Sequence, residues 1–575
     1  MIIITDLYTV SQSVFNEDKT ISIVFDGKIY NSKTLKDELI AIGYRFCTQT
    51  EEEILVHGYE QWGIEMLLNK VDGVFALSIC DTANETTYIA RDKFGAKPLF
   101  YFQDKNGLYA ASTLKLLSKH SFSKTISKEG LNLFLSLSYI PAPYTIYNNV
   151  FKLPAGNYLT INNKNVAIKA YYQLENRIKP SSVTFEQAKE QLRQKLSDSV
   201  KKHMEGDEQI GAFLSGGIDS SIIVGLMSQH TSKSIHTFSI GFKEKEYDES
   251  YRAKLVSDTF NTNHTIHYLD FADVLDVLDN IIDFFDEPFG DSSAIPSYYV
   301  AKLAREKVPI VLTGDCADEL FGGYEKYLTD YYSRKYLRIP NPIRYLFEKS
   351  IWLIPRSSAT NSLIRKIKKV LSSTSYSGFD ANYQYMCMGC SDKTRVQLVM
   401  PDYYSNIKHI VEETYNRFHS NDSLNRVMFS DINTVLEGDM LPKVDRMCVM
   451  NSLEARSPFL SADMVEFALS LSSVYKVNGR MKKYILREAF KDILPAKVFR
   501  YGKNGFRAPV ANWFRKELKQ DLLNLLKEDK LTKQGILNAE VVSYMVEQHL
   551  KGGADNSPLL WNLYVFQKWY AKNIV

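Results

Sequence analysis

The chain has 575 residues and a nearly even charge balance, 70 Lys and Arg against 67 Asp and Glu, for a net charge of +3. That length asks for more than one domain, and the balance leaves no electrostatic footprint for nucleic acid. A hydrophobic share of 45% with 24% charged residues is that of a soluble globular protein, and no apolar run reaches the length of a membrane span. The six cysteines (Cys47, Cys80, Cys316, Cys387, Cys390 and Cys448) form no disulfide framework. With no recognisable signal peptide, reduced thiols and a cytoplasmic location are expected. Cys387 and Cys390 make a lone CxxC; no second Cys or His pair lies at zinc spacing to complete a metal site.

The first third alternates short β-rich runs with turn residues. Ile21 to Phe25 reads as a strand, followed by a turn at Asp26-Gly27. Lys33 to Ile42 and Glu51 to Gln61 carry helical spacing. Val74 to Ile79, Thr87 to Ala90 and Leu108 to Ser112 are further strands. Strands with two helices fit an α+β layered sandwich.

Two stretches here, Val24-Phe-Asp-Gly-Lys-Ile-Tyr-Asn31 and Arg91-Asp-Lys-Phe-Gly-Ala-Lys-Pro-Leu99, resemble the glutaminase domain of glutamine-dependent asparagine synthetases. The resemblance implies an N-terminal-nucleophile (Ntn) hydrolase fold over 1–178. In that family an N-terminal cysteine hydrolyses glutamine and ammonia passes down a tunnel. Several positions depart from the pattern. The family begins Met-Cys-Gly-Ile, whereas this chain begins Met1-Ile2-Ile3, and its nearest cysteine is Cys47. The Arg-Gly-Pro-Asp loop that grips glutamine is missing. The Asn-Gly-Glu turn is replaced by Asp26-Gly27-Lys28, and Glu51 stands where an Asp is expected. Either the sequence is a truncated form of an active glutaminase, or the domain is a degenerate remnant. Asn→Asp and Glu→Lys invert the charges around a zwitterionic ligand, at a few kcal/mol for a close semi-buried pair. That favours a glutaminase that is dead by sequence.

A polar stretch near Pro180 leads into an amphipathic helix, Thr184 to Met204, with Ala188, Leu192, Leu196 and Val200 on one face. Residues 179–208 therefore read as linker and entry helix. The second domain is expected over 209–575.

That domain opens on Leu214-Ser-Gly-Gly-Ile-Asp-Ser-Ser221. Gln209 to Phe213 before it reads as a buried strand, and Ile222 to Met227 after it as the start of a helix. Strand, glycine turn and helix together cradle phosphate. Main-chain N–H groups approach closely at Gly216 and Gly217, and the helix N-terminus adds partial positive charge. Ser215 and Ser220 add hydroxyls. Asp219 beside phosphate calls for a divalent cation between them. The Gly-Lys-Ser/Thr ending of a Walker A loop is missing. The motif resembles the pyrophosphate loop of the ATP pyrophosphatase superfamily, which implies cleavage of ATP to AMP and pyrophosphate.

A second strand, Ile235 to Ile240, follows. Leu214 and Ile240 stand at carboxyl ends of strands, where a doubly wound sheet binds its ligands; the family holds adenine there with backbone groups. The charged run Glu244 to Ser250 matches the family but serves equally as a solvated loop. Phe285 to Ser297 is an irregular stretch carrying Asp286, Glu287 and Asp291, and it resembles the loop near the acyl substrate. Lys307 to Leu312 is another buried strand, opening into Thr313-Gly-Asp-Cys-Ala-Asp318. Thr313 and Gly314 form a second phosphate-type turn. Asp318 is the candidate to share Mg2+ with Asp219. Asp315 matches an acid that the family associates with acyl-adenylate formation. Cys316 replaces a glycine common in the family, so it reads as a small-residue substitution. Arg334 to Val370 is a basic, solvated face.

Leu441 to Leu460 and Lys482 to Glu488 extend the resemblance, as does Lys503-Asn-Gly-Phe506 with Pro509. Glu454 and Arg456 read as a structural ion pair. Lys483 matches a family lysine that neutralises charge on the α-phosphate as pyrophosphate leaves. Together these motifs imply an α/β ATP-pyrophosphatase domain with many C-terminal helices. They also imply ATP and Mg2+ as cofactors, and a ligase that adenylates a carboxylate and joins it to ammonia or an amine. An ammonia-dependent, asparagine-synthetase-like enzyme is the first expectation. A specialised ligase acting on a sugar acid, a natural-product precursor or a peptide is the second. A catalytically dead scaffold is the third. Expected partners are a small carboxylate and a nitrogen donor, without nucleic acid or membrane. A homodimer and a separate ammonia-supplying subunit are both compatible with the sequence.

Overall fold

The structure, a computed structural model, describes residues 3–4, 13–120, 122–162, 165–206, 209–243, 248–328, 336, 338–352, 379–387, 389–500 and 508–574. The Lys503–Phe506 motif and most of the Glu244–Ser250 and Arg334–Val370 stretches lie outside the described residues. Among the described residues no helix is long and apolar enough to cross a membrane.

The N-terminal region is built on two sheets. One has six antiparallel strands in the order Asn165–Ala170, Asn157–Asn162, Thr86–Arg91, Gly73–Asp81, Ile21–Ile29 and Val14–Phe15. The other has four, Ile3–Ile4, Gly107–Ala111, Phe100–Asp104 and Phe151–Lys152. Alternation along each strand decides which face each residue serves. Ile21, Ile23 and Phe25 point to the main core, with Leu35, Leu39 and Leu55 of the overlying helices Ser32–Ala41 and Glu51–Lys70. Ala76, Ile89, Leu159 and Ile161 point the other way, onto Leu108 and Ala110 of the second sheet. The result is helices on one face of a sheet and a sheet on the other, the layered Ntn-type arrangement expected above.

Two local expectations are corrected. Asp26-Gly27 is not a turn: the strand runs through to Ile29, with Asp26 opposite Ala76 and Gly27 opposite Phe75. The apolar alternation continues to Ile29, so the ladder outweighs the turn preference of the dipeptide. The second helix runs on to Lys70, bent at Gly63, whose φ is 69°.

The helix Phe185–Met204 then leads into the second region. Thr184 caps it reciprocally with Gln187, and Ala188, Leu192, Leu196 and Val200 are fully buried. Five parallel strands follow, in the order Asn263–Leu269, His236–Phe242, Ile210–Phe213, Ile310–Leu312 and Glu454–Arg456. The first strand in sequence is therefore the central one. The chain winds outward on one side, then returns to the other, so the switch point lies between Ile210–Phe213 and Ile310–Leu312. The edge strand Glu454–Arg456 was not foreseen, because its three residues are too short and too charged to read as a strand. Helices make up most of the remaining described chain, including a π-wound segment, Ile432–Met440. One continuous apolar core runs through both regions.

Candidate active site

Both glycine turns leave adjacent strands at that switch point. The first begins at Leu214, whose N–H donates to the Phe238 carbonyl at 2.8 Å. Gly216 has φ +74°, and a Cβ there would fall 2.4 Å from the Arg252 carbonyl carbon, so only glycine fits. The Ser215 and Ser220 hydroxyls lie 3.1 Å apart, and Ser220 Oγ also accepts the Ser215 N–H at 3.2 Å, which fastens the turn. The helix Ile218–His230 starts from Gly217 with no side chain bonded to its first N–H groups, leaving that terminus open to an anion.

The second turn starts at Thr313, whose N–H donates to the Arg456 carbonyl at 2.9 Å. Gly314 lies against the first turn: a Cβ on it would stand 2.7 Å from the Ser220 nitrogen and 2.9 Å from the Asp219 Cβ. Close packing of the two turns thus depends on Gly314. Cys316 has φ +75°, a left-handed conformation in which glycine is the unstrained residue. Its buried thiol is pushed well up by desolvation, which leaves it inert as a nucleophile. Asp318 opens the short helix Ala317–Phe321.

Lys483 joins the two turns. Its ammonium bonds Asp219 Oδ2 and stands 2.6 Å from Asp318 Oδ1. It lies not on a helix surface but just before the helix Tyr484–Ala489, at φ +54°, with 6% exposure. Arg487 lies close behind; burial pushes its pKa down and Asp219 pulls it back. Carbonyl groups of Lys482 and Phe499 hold its guanidinium at 2.9 and 2.7 Å. Asp219 Oδ1 is buried and makes no hydrogen bond. Two carboxylates with one oxygen left over, beside an open helix terminus, are a donor set that suits Mg2+ carrying phosphate oxygens. Asp315 is half-buried on the same turn, its carbonyl accepting from Ser457 Oγ at 2.8 Å. Ile240 is buried in its strand beyond the end of Ile210–Phe213. The structure thus brings Leu214 to Ser220, Ile240, Thr313 to Asp318 and Lys483 together.

The other expected set lies in the N-terminal region. Lys28 Nζ pairs with Glu51 Oε1 at 2.8 Å, and Glu51 Oε2 accepts the Ile29 N–H at 2.9 Å. Burial raises the Glu51 pKa, with Lys28 opposing it. Asp26 is also raised by burial and faces Lys97 at 3.8 Å. Lys97 reaches on to Asp445 of the second region at 2.9 Å.

Most of the remaining acidic motif residues hold the two regions together. Glu287 pairs with Lys152 at 2.5 Å, and Asp286 accepts the Leu114 N–H at 3.1 Å. Arg91 and Glu437 form a buried pair at 2.6 Å. Glu454 and Arg456 pair at 2.6 Å, the structural role expected for them. Cys387 and Cys390 are buried, and desolvation pushes both thiols up to about 12. Sequence reasoning gave no role to Arg487, although it lies within the Lys482 to Glu488 stretch.

A family model for asparagine synthase matches residues 191–571, and one for a glutamine amidotransferase domain matches residues 2–172. Glutamine-hydrolyzing asparagine synthetase 1 of Bacillus subtilis is 31% identical over 574 residues, 99% of this chain and 88% of its own length. A putative glutamine-hydrolyzing asparagine synthetase of Mycobacterium tuberculosis is 31% identical over 561 residues, covering 96% of this chain and 84% of its own. Another from Methanocaldococcus jannaschii is 36% identical over 335 residues, 57% of this chain and 64% of its own. With its synthetase region matched throughout and relatives aligned over almost its whole length, the chain belongs to the asparagine synthase family.

Proposed function

We propose that the protein is an ATP-dependent, AMP-forming amide ligase of the asparagine synthetase type that takes ammonia as its nitrogen donor. The observation that carries this reading is Lys483 held between Asp219 and Asp318, where the two glycine turns meet. In the proposed reaction a substrate carboxylate oxygen bonds to the α-phosphorus of ATP and pyrophosphate leaves. A nitrogen lone pair then bonds to the acyl carbon, AMP leaves with the bonding electrons, and the nitrogen loses a proton.

Each residue has a part. The first-turn N–H groups of Ile218–His230 and the Ser215 and Ser220 hydroxyls bind the departing phosphates. Asp219 and Asp318 would hold Mg2+, which neutralises pyrophosphate charge when bound. Lys483, held between the two turns, would stabilise the charge that builds on the α-phosphate, an effect of ~3–4 kcal/mol for one preorganised donor. Ammonia rather than glutamine is favoured by the N-terminal region: Lys28 and Glu51 neutralise each other where the family pattern would meet a zwitterion. Membership of the family makes aspartate the first carboxylate to try.

The test is aspartate-dependent pyrophosphate release with ammonia and with glutamine in parallel. Release with ammonia alone supports the reading. Release with glutamine overturns the donor assignment, and release with neither moves the search to another carboxylate.

A further inference from the structure

On the N-terminal region three glutamates surround one imidazole. Glu53, His57 and Glu60 follow one another along one side of the helix Glu51–Lys70. Glu17 comes from the turn that joins the paired strands Val14–Phe15 and Ile21–Ile29. His57 is only 3% exposed, and the rings of Tyr44 and Phe46 lie against it at 5.0 and 5.1 Å. Its Nδ1 stands 3.0 Å from Glu60 Oε2. Its Nε2 makes no hydrogen bond among the described residues, with Glu17 Oε1 and Glu53 Oε1 each 3.9 Å away.

The surroundings fix this geometry. Asn16 Nδ2 donates to Glu60 Oε1 at 2.9 Å, and Asn16 Oδ1 accepts the Ile21 N–H at 2.9 Å. One side chain thus shapes the turn and leaves Glu60 Oε2 for the ring, as an outer partner does for a metal ligand. Glu53 is committed to its own loop, accepting the N–H groups of Cys47 and Thr48 at 2.6 and 2.7 Å. Among the described residues, Glu17, Glu53 and Glu60 have His57 as their only ion-pair partner. Even a protonated imidazole would leave two of the three negative charges uncompensated.

A hydrogen bond cannot span 3.9 Å, but an ion between the two atoms can. One ligand atom from each of Glu17, His57 and Glu60 lies within 4.8 Å of the other two. Ligands about 2.1 Å from a shared ion stand at most ~4.2 Å apart, so closure asks for a shift of a few tenths of an ångström. Glu17, with its side chain 72% exposed, can make that shift.

We propose that Glu17, His57 and Glu60 bind a divalent first-row transition-metal ion, which clasps the turn to the helix. An imidazole nitrogen with carboxylate oxygens suits Zn2+, whereas Mg2+ takes oxygen ligands. Three protein ligands leave the fourth position of a tetrahedral shell for water. The site belongs to a different region from the Asp219–Asp318 pair and does not rest on the ligase reading.

Equilibrium dialysis of the full chain tests this, with Zn2+ as the probe, after removal of metals by EDTA and in excess Mg2+ to occupy oxygen-only sites. The wild type should retain about one Zn2+ that Mg2+ does not displace. Glu17→Gln, Glu60→Gln and His57→Gln should each weaken that affinity at least tenfold, with unchanged far-ultraviolet circular dichroism. Should His57→Gln fail to fold, the two glutamate variants decide, Glu17 being an exposed side chain. Co2+ in place of Zn2+ should give a visible absorption band that the variants lack. No retention by the wild type overturns the proposal and leaves His57 compensated by a proton alone. A smaller loss of affinity in any folded variant also overturns it and places the bound ion elsewhere.

Discussion

Each region holds a lysine among acids, and the two lysines are set up differently. In the N-terminal region Lys28 meets one carboxylate, Glu51, whose second oxygen is already bonded to the backbone. The charges of this pair balance, although Asp26 beside it keeps a buried oxygen unbonded. In the synthetase region Lys483 is shared by Asp219 and Asp318, and Asp219 keeps a buried oxygen unbonded. That set leaves an unmet acceptor beside an open helix terminus. A balanced cluster contributes to stability, whereas an unbalanced one in a cleft waits for something to bind.

The sharpest way to break this comparison is to remove the shared lysine. Lys483→Ala should lower the rate of pyrophosphate release ~100- to 1000-fold, with an unchanged far-ultraviolet circular dichroism spectrum. A loss below tenfold would mean the lysine is only a structural tie. Next in size is the tie between the regions. Glu437→Ala leaves Arg91 buried and unpaired, at a cost of ~3–5 kcal/mol in a denaturant titration. A small effect would show that the regions are joined by apolar packing alone.

A third test uses pH. His203 lies at the boundary, its ring 3.9 Å from that of Tyr30, and burial lowers its pKa to about 4. Its proton affinity is thus lower folded than unfolded. The full stability is present above the unfolded value, near 6.5, and is lost as pH falls towards 4, by roughly 3 kcal/mol at most. Thermal unfolding between pH 7 and pH 4 measures it, and His203→Gln should flatten the profile. The smallest effects belong to the balanced site. Lys28→Met should cost about 1 kcal/mol or less, because the lysine is one-third exposed. Neither it nor Cys47→Ala should change ammonia-dependent turnover. A loss of activity with Cys47→Ala would overturn the reading of the N-terminal region.

The two glycine turns could be read from sequence because their chemistry is local. Gly216 is needed by its own φ, and Ser215 and Ser220 bond within six residues of each other. The bridge from Lys483 back to Asp219 could not, since it spans 264 residues and came only through resemblance. Asp286 and Glu287 suggested a substrate loop by resemblance. Their partners, Leu114 and Lys152, lie in another region and turn them into fasteners. Asp26-Gly27 misled for a related reason: turn propensity is a property of the dipeptide, while the strand is fixed by its neighbour Gly73–Asp81.

The order of strands in the parallel sheet also bears on how the chain reaches its folded state. Ile210–Phe213 is central, and its neighbour His236–Phe242 follows soon after. Its other neighbour, Ile310–Leu312, arrives about a hundred residues later, and Glu454–Arg456 later still. During synthesis, one edge of the central strand therefore stays unpaired while that interval is made, exposing apolar backbone to stray pairing. High sequence separation also makes closure of this half slow. The nucleotide crevice is thus among the last features to form, and the N-terminal region is complete long before the partner strand exists.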